Sequence, residues 1–198
     1  MATQKHSVLF VCLGNICRST MAEGIFQHLI KERGLSSSWM IDSAGTGSWH
    51  VGSPPDSRTM QVLKKNGIAD YNHRGRLITK EDFSTFEYIF GMDHENMDDI
   101  TEMKPRNSTA KCMLLGEYDP QKELTVQDPY FTHSQNKNAF NERPLVELPL
   151  LQSCHSSYVW GNAPAVNETH HLSCYCSHTT VKHLIQKIFN PTKQHYMI

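Results

Sequence analysis

The chain has 198 residues, of which 38% are hydrophobic and 20% charged, and its formal net charge is −1. This is an ordinary composition for one globular domain, and the length leaves room for a second. The near-zero charge provides no field to recruit nucleic acid or anionic lipid, and no apolar run is long enough to span a membrane. Because the N-terminal residues lack an apolar signal core, we expect a cytoplasmic location with the six cysteines reduced.

Strands and helices alternate over the first two-thirds of the sequence. Asp56 and Asp93 are typical helix caps, and Gly34 and Gly67 are typical helix stops. Such alternation favours an α/β fold, here a four-stranded parallel sheet with helices on both faces. The predicted elements are a strand at 7–11, a helix at 19–33, a strand at 39–43, a loop at 45–55, a helix at 56–66, a short capped helix at 79–82, a strand at 88–92, a helix after 93 and a strand at 112–115.

The loop between the first strand and the first helix holds a cysteine and an arginine six positions apart, Cys12 and Arg18. A loop before a helix N-terminus can direct backbone N–H groups at an anion, and Gly14 allows a tight turn. The helix terminus and Arg18 favour a thiolate at Cys12, and the Ser19 hydroxyl can hydrogen-bond its sulfur. Asn15 can hydrogen-bond across the loop and hold it open. The predicted phosphate-binding loop comprises Leu13, Gly14, Asn15, Ile16, Cys17, Arg18 and Ser19.

Two other interpretations of this loop were weighed. A cysteine after an apolar strand is commonly a small buried hydrophobe. A nucleotide-binding phosphate loop needs a lysine before its Ser or Thr, where this sequence has Arg18. The preceding strand, the following helix and Ser19 directly after Arg18 favour chemistry on a phosphate, with Cys12 as the nucleophile.

The first part of the chain resembles the low-molecular-weight protein tyrosine phosphatases, also known as acid phosphatases. The resemblance covers about residues 7–131 and departs from the family in the C-terminal third. It is carried by Val8–Thr20, Asp42-Ser43-Ala44, Pro54-Pro55-Asp56, Thr79–Phe83, Met92-Asp93, Leu115-Gly116, Tyr118–Gln121 and Asp128-Pro129-Tyr130.

The resemblance implies a mechanism. Asp128 would protonate the leaving oxygen as general acid, and would then act as base for the water that hydrolyses a phosphocysteine on Cys12. Arg18 and the loop amides would neutralise the phosphoryl charge, so no metal and no cofactor is expected. The expected substrates are phosphotyrosine proteins and small aryl phosphates, with no nucleic acid or membrane partner.

Further site residues also follow from the resemblance. Ser43 and His73, with Asn15 and Ser19, match a hydrogen-bond network behind the loop. Cys17 matches a thiol that could capture oxidised Cys12 as a reversible disulfide. The predicted walls of the substrate cleft are Trp49, His50, Tyr130 and Phe131.

The sequence changes character after residue 131. Residues 132–198 hold only 8 of the 39 charged residues but seven of the twelve histidines. We therefore divide the chain into a phosphatase-like domain, 1–131, and a divergent tail, 132–198, expected to be largely irregular or disordered. The family's long terminal helix is not matched there, which would leave apolar surface of the sheet uncovered. A late helical pattern, stopped by Asn190-Pro191, comprises Val181, Leu184, Ile185, Ile188 and Phe189.

These patterns predict a cysteine-dependent protein tyrosine phosphatase with Cys12, Arg18 and Asp128 as catalytic residues. Two alternatives stay open at this point. One is an arsenate reductase on the same fold, which would require further cysteines to relay a disulfide. The other is a catalytically impaired form of the protein that binds phosphotyrosine or another protein through its intact loop.

Overall fold

A computed structural model of the chain describes residues 6–128 and 178–189. Within these ranges four strands and five helices follow one another, with short 3-10 turns at Ser36–Ser38 and Leu115–Tyr118. The strands are β1 (His6–Cys12), β2 (Trp39–Gly45), β3 (Tyr88–Gly91) and β4 (Lys111–Leu114). The helices are α1 (Arg18–Glu32), α2 (Ser57–Lys65), α3 (Asp82–Thr85), α4 (His94–Met103) and α5 (His178–Phe189).

The strands form one parallel sheet in the order β2-β1-β3-β4, which confirms the predicted fold class. In the register of the sheet, Phe10 of β1 lies beside Ser43 of β2 on one side and Phe90 of β3 on the other. The chain thus leaves β1 for one neighbour and later returns to its other side. In open parallel sheets the crevice at such a reversal, beyond the carboxyl ends of the strands, is where ligands bind.

Alternate residues of β1 enter two separate cores. Val8 and Phe10 pack with α1 and α2 on one face of the sheet. Leu9 and Val11 pack with Phe83 of α3 and with α4 on the other face. The near-continuous apolar run of β1 is therefore required by burial on both sides.

The predicted helix signals are largely correct. Asp56 caps α2 by accepting the Arg58 backbone N–H, and Gly34 and Gly67 adopt left-handed conformations, with φ of 68° and 81°, after α1 and α2. The short helix predicted at 79–82 is displaced and forms instead as α3. The cause is Asp82, whose carboxylate accepts the Thr79 N–H and so makes the preceding residues a turn.

The late helical pattern is confirmed by α5. Its residues Val181, Leu184 and Ile185 are buried and belong to the same core as Phe10. The helix packs against α1 and the turn Leu115–Tyr118. Our expectation of an uncovered apolar surface is therefore wrong for this face, because a segment of the divergent tail covers it. The domain boundary at 131/132 stays a prediction, since residues 129–177 lie outside the described part.

None of the described helices combines the length and apolar composition needed to cross a bilayer.

Candidate active site

The loop 13–17 connects the end of β1 to the start of α1, at the point where the strand order reverses. Cys12 is the last residue of β1 and Arg18 the first of α1, and each side chain is 3% exposed. The parallel sheet thus places the predicted nucleophile, Cys12, and the predicted phosphate-binding residue, Arg18, beside the same crevice.

Several loop carbonyls are bound from outside the loop. Their oxygens accept backbone N–H groups of the neighbouring segments, in the pairs Thr46 to Cys12 (3.0 Å), Gly47 to Leu13 (2.8 Å) and Asp56 to Ile16 (2.8 Å). All peptide bonds here are trans, so the N–H that follows each carbonyl points the opposite way. The loop therefore turns N–H groups toward its centre, an arrangement suited to an anion.

Asn15 holds the loop in shape. Its φ of 52° is left-handed, a conformation that asparagine tolerates better than most residues. The tight turn that we expected at Gly14 is therefore made by Asn15, since Gly14 has no positive φ. A side chain on Gly14 would meet His50, because an added Cβ would lie 3.1 Å from its Cδ2.

The Asn15 side chain makes four hydrogen bonds. Its Nδ2 donates to Ser19 Oγ and to Ser43 Oγ, each at 2.9 Å. Its Oδ1 accepts the Arg76 backbone N–H and His73 Nε2, also at 2.9 Å. The residues expected behind the loop are thus brought together around one amide, which is itself buried.

A buried glutamate, Glu23, extends this network. Its Oε2 accepts hydrogen bonds from Ser43 Oγ at 2.6 Å and from the Tyr71 hydroxyl at 2.7 Å. His73 Nδ1 lies 3.2 Å from the same oxygen. Burial raises the pKa of Glu23 to about 7, although the two hydroxyl donors partly oppose this. Burial also lowers the pKa of His73. Because His73 Nε2 donates to Asn15, the contact between His73 Nδ1 and Glu23 is a hydrogen bond only when Nδ1 or the carboxyl group carries a proton.

Cys12 and Arg18 each have a defined partner. Cys12 Sγ lies 3.0 Å from Ser19 Oγ, as predicted for a hydroxyl that stabilises a sulfur anion. Arg18 Nη2 donates to Asp128 Oδ2 at 2.6 Å, and its Nη1 donates to Asp93 Oδ2 and, at 3.1 Å, to the Val126 carbonyl. Asp128 therefore lies directly at the loop, although it is 110 residues from Arg18 in sequence.

Burial alone would lower the pKa of Arg18, but the charges of Cys12, Asp128 and Asp93 outweigh it and raise the pKa. The guanidinium is thus a fixed cation in a nearly dry position, where its interaction with an anion is strong.

The other predicted residues are placed less closely. Trp49 is 73% exposed, and its ring lies over Gly47, where an added Cβ would come within 1.8 Å of Cζ3. Cys17 is the N-cap residue of α1 and follows Cys12 by five positions in the same loop. Tyr130 and Phe131, the remaining predicted cleft residues, lie outside the described residues.

Two residues of the site were missed as site residues in the sequence analysis. Asp93 was predicted only as a helix cap, and it does accept the Asn96 N–H through Oδ1 while its Oδ2 binds Arg18. Glu23 follows Ser19 by four positions, so both lie on the same face of α1. A charged residue amid the buried positions of that helix was the available signal.

Glu23, Asp42 and His73 form a group whose potential metal-ligand atoms lie within 4.8 Å of one another. Both carboxylates already accept hydrogen bonds, and the Arg76 guanidinium binds Asp42 at 2.8 Å. The group is therefore suited to supporting the loop, and a cation there would face a guanidinium.

The fold and loop can be compared with known proteins. Residues 7–145 match the family model of the low molecular weight phosphotyrosine protein phosphatases. A phosphatase of this name from Schizosaccharomyces pombe is 51% identical over 131 residues, which are 65% of this chain and 83% of that protein.

Solved structures agree with this assignment. The crystal structure of YfkJ from Bacillus subtilis is similar with a TM-score of 0.62 and 40% identity, over 67% of this chain and 84% of that one. A protein tyrosine phosphatase from Entamoeba histolytica is similar with a TM-score of 0.60 and 36% identity, over 64% and 81% of the respective chains. With its parallel sheet and the loop from Cys12 to Ser19, the chain belongs to the low molecular weight phosphotyrosine protein phosphatases.

Proposed function

We propose that this chain hydrolyses phosphotyrosine and small aryl phosphate monoesters through a phosphocysteine formed on Cys12. The observation that carries the proposal is the hydrogen bond from Arg18 to Asp128, because it joins an acid–base group to the predicted phosphate ligand beside Cys12. The family supplies the phosphatase activity, and the roles below are inferred from the geometry.

Phosphate binding would use the inward N–H groups of the loop and the Arg18 guanidinium. Arg18 Nη2 donates to Asp128 Oδ2, so a phosphate oxygen that bound Nη2 would replace this carboxylate. Asp93, which accepts from Nη1, would keep the other nitrogen of the Arg18 guanidinium in place. The bound monoester would then have its phosphorus in front of the sulfur, with its charge compensated throughout the reaction.

In the first chemical step, the Cys12 thiolate attacks phosphorus and the bond from phosphorus to the phenolic oxygen breaks. Asp128, released from Arg18 and protonated from solvent, gives that proton to the departing oxygen. Water then attacks the phosphocysteine, Asp128 takes a proton from that water, and the sulfur–phosphorus bond breaks to release phosphate and regenerate the thiolate. Ser19, 3.0 Å from Sγ, stabilises the sulfur anion as it leaves.

The Asn15 network would keep the loop open for this chemistry. Ser43 and His73 fix Asn15, and Asn15 in turn orients Ser19 toward Cys12. These residues act on the reaction through the shape of the loop, without contact with substrate.

The cleft and the redox roles are part of the same proposal. Trp49 and His50, together with Tyr130 and Phe131, would form a slot for the substrate ring. Cys17 would capture a sulfenic acid on Cys12 as a disulfide, which reversibly stops turnover.

The test is turnover of para-nitrophenyl phosphate and of a phosphotyrosine peptide by the full chain. We expect both to be hydrolysed, Cys12→Ser to abolish turnover, and Asp128→Asn to lower it by about 10² or more. An inactive but cooperatively folded full chain that binds the peptide would favour the binding-module alternative. Arsenate reduction with a thiol reductant, without ester hydrolysis, would favour the reductase.

A further inference from the structure

Helix α5 contacts the segment that leads to Asp128. One face of α5 is apolar and belongs to the core. Thr180, near the start of the helix, contacts Asp119 instead. Thr180 is 6% exposed, and its Oγ1 donates a hydrogen bond of 2.9 Å to Asp119 Oδ1. Farther along the helix, Lys187 Nζ lies 5.1 Å from the centre of the Tyr118 ring. The tail therefore binds the chain at the point where the 3-10 turn ends.

Asp119 organises the next residues of that chain. Its second carboxylate oxygen accepts the backbone N–H groups of Gln121, at 3.0 Å, and of Glu123, at 3.2 Å. Its own carbonyl accepts the Lys122 N–H, and Lys122 has a left-handed φ of 61°. One oxygen of Asp119 thus closes a tight turn while the other is held by α5.

The path from this turn to Asp128 is short and has defined contacts. The chain passes so close to Gly116 that an added Cβ there would lie 2.2 Å from the Leu124 carbonyl oxygen. Two residues later the Val126 N–H donates to the Met92 carbonyl at 2.7 Å, and the Val126 carbonyl accepts from Arg18. Asp128 follows. A displaced turn at Asp119 would therefore displace the start of the segment that delivers Asp128.

We propose that Thr180 is a positioning residue for Asp128, acting through its hydrogen bond to Asp119. This inference rests on the general-acid role proposed for Asp128. Under this proposal α5 helps to position the general acid, in addition to contributing to the core. The effect would act across a long stretch of sequence, since 49 residues separate Asp128 from the start of α5.

The test uses two substrates that differ in their need for a general acid. Para-nitrophenolate departs readily, whereas phenolate needs protonation, so loss of the acid penalises phenyl phosphate more. We expect Thr180→Val to lower kcat/KM about tenfold for phenyl phosphate and only about twofold for para-nitrophenyl phosphate. Thr180→Ser, which keeps the hydroxyl, should restore the ratio of the two values.

Thr59→Val in α2 is the matched control. Thr59 is fully buried, and its hydroxyl has no hydrogen-bond partner among the residues described, so the same substitution there should leave the substrate ratio unchanged. Asp119→Ala is the second variant, since it removes the oxygen that accepts from Thr180 and so breaks the same bond from the other side. It should shift the ratio in the same direction even if Thr180→Val does not fold.

In an Asp128→Asn background, Thr180→Val should not change the ratio further, because the acid is already absent. Equal losses on both substrates, an unchanged ratio in Asp119→Ala, or a further shift in the Asp128→Asn background would overturn the positioning role. Absence of turnover by the unsubstituted chain would instead refute the phosphatase proposal itself.

Discussion

At the residue scale, the site depends on Asn15 for two different reasons. Its backbone adopts a left-handed conformation, and its side chain connects Ser19, Ser43 and His73. The sequence indicated the second function, since asparagine in a loop can hydrogen-bond across it. It could not identify the first, because the position of a left-handed residue depends on how the whole loop closes.

Two substitutions separate these functions. Asn15→Gly keeps the backbone conformation and removes the hydrogen bonds, whereas Asn15→Ala also strains the backbone. We expect both to lower kcat/KM at least tenfold, and Asn15→Ala to be less stable than Asn15→Gly by about 1 kcal/mol. Steady-state kinetics and chemical denaturation measure the two effects. An alanine variant as stable as the glycine variant would show that the conformation of Asn15 carries no strain.

Partners distant in sequence limit what can be predicted at this scale. Helix-capping residues such as Asp56 and Asp93 were recognised, because a cap depends on residues two or three positions away. The second bond of Asp93, to Arg18, joins residues 75 positions apart, and no local pattern indicates it. The same holds for Tyr71 and Glu23, whose contact depends on how α1 packs against the segment after α2.

At the scale of elements, the packing of α5 is the feature that could least be predicted from the sequence. Its apolar spacing predicted a helix but not the surface it covers. In the structure three successive core positions, Val181, Leu184 and Ile185, are buried against α1 and the turn Leu115–Tyr118. Packing of this kind is a tertiary property, and the motifs recognised in the sequence all precede α5, so they gave no indication of it.

Leu184→Ala tests this packing. Leu184 is fully buried, so its truncation should lower the free energy of unfolding by about 2–5 kcal/mol. Met40→Ala, which truncates an exposed side chain of β2, should cost less than about 1 kcal/mol. Denaturation with urea measures both variants. Similar small losses in the two would mean that α5 does not form part of the stable core.

At the scale of the whole molecule, the first 128 residues supply every described catalytic candidate, and the core is completed from the far end of the chain. The parallel sheet was predictable because strands alternate with capped helices, and the strand reversal beside β1 places the loop at the crevice. The folded unit therefore includes residues beyond position 145, where the match to the family model ends, since α5 contributes to the same core.

A chain ending after Phe131 tests this conclusion. Loss of the three buried side chains of α5 should remove about 2 kcal/mol each, out of a total stability of about 5–15 kcal/mol for a typical domain. We expect the shortened chain to melt at a much lower temperature than the full chain, or without a cooperative transition, and to lose turnover. A melting temperature within a few degrees of the full chain would contradict the role assigned to α5.

The central claim is that a phosphoryl group passes through the Cys12 sulfur, and trapping that intermediate tests it most directly. In Asp128→Asn, hydrolysis of the intermediate lacks its base, while para-nitrophenyl phosphate can still transfer its phosphoryl group. Quenching in alkaline denaturant, which preserves the acid-labile S–P bond, followed by peptide mass spectrometry should find one phosphoryl group on the peptide that contains Cys12, and none after Cys12→Ser. The account would be contradicted if the unsubstituted chain turns over substrate but the phosphoryl group is absent from Cys12 or is found on another residue.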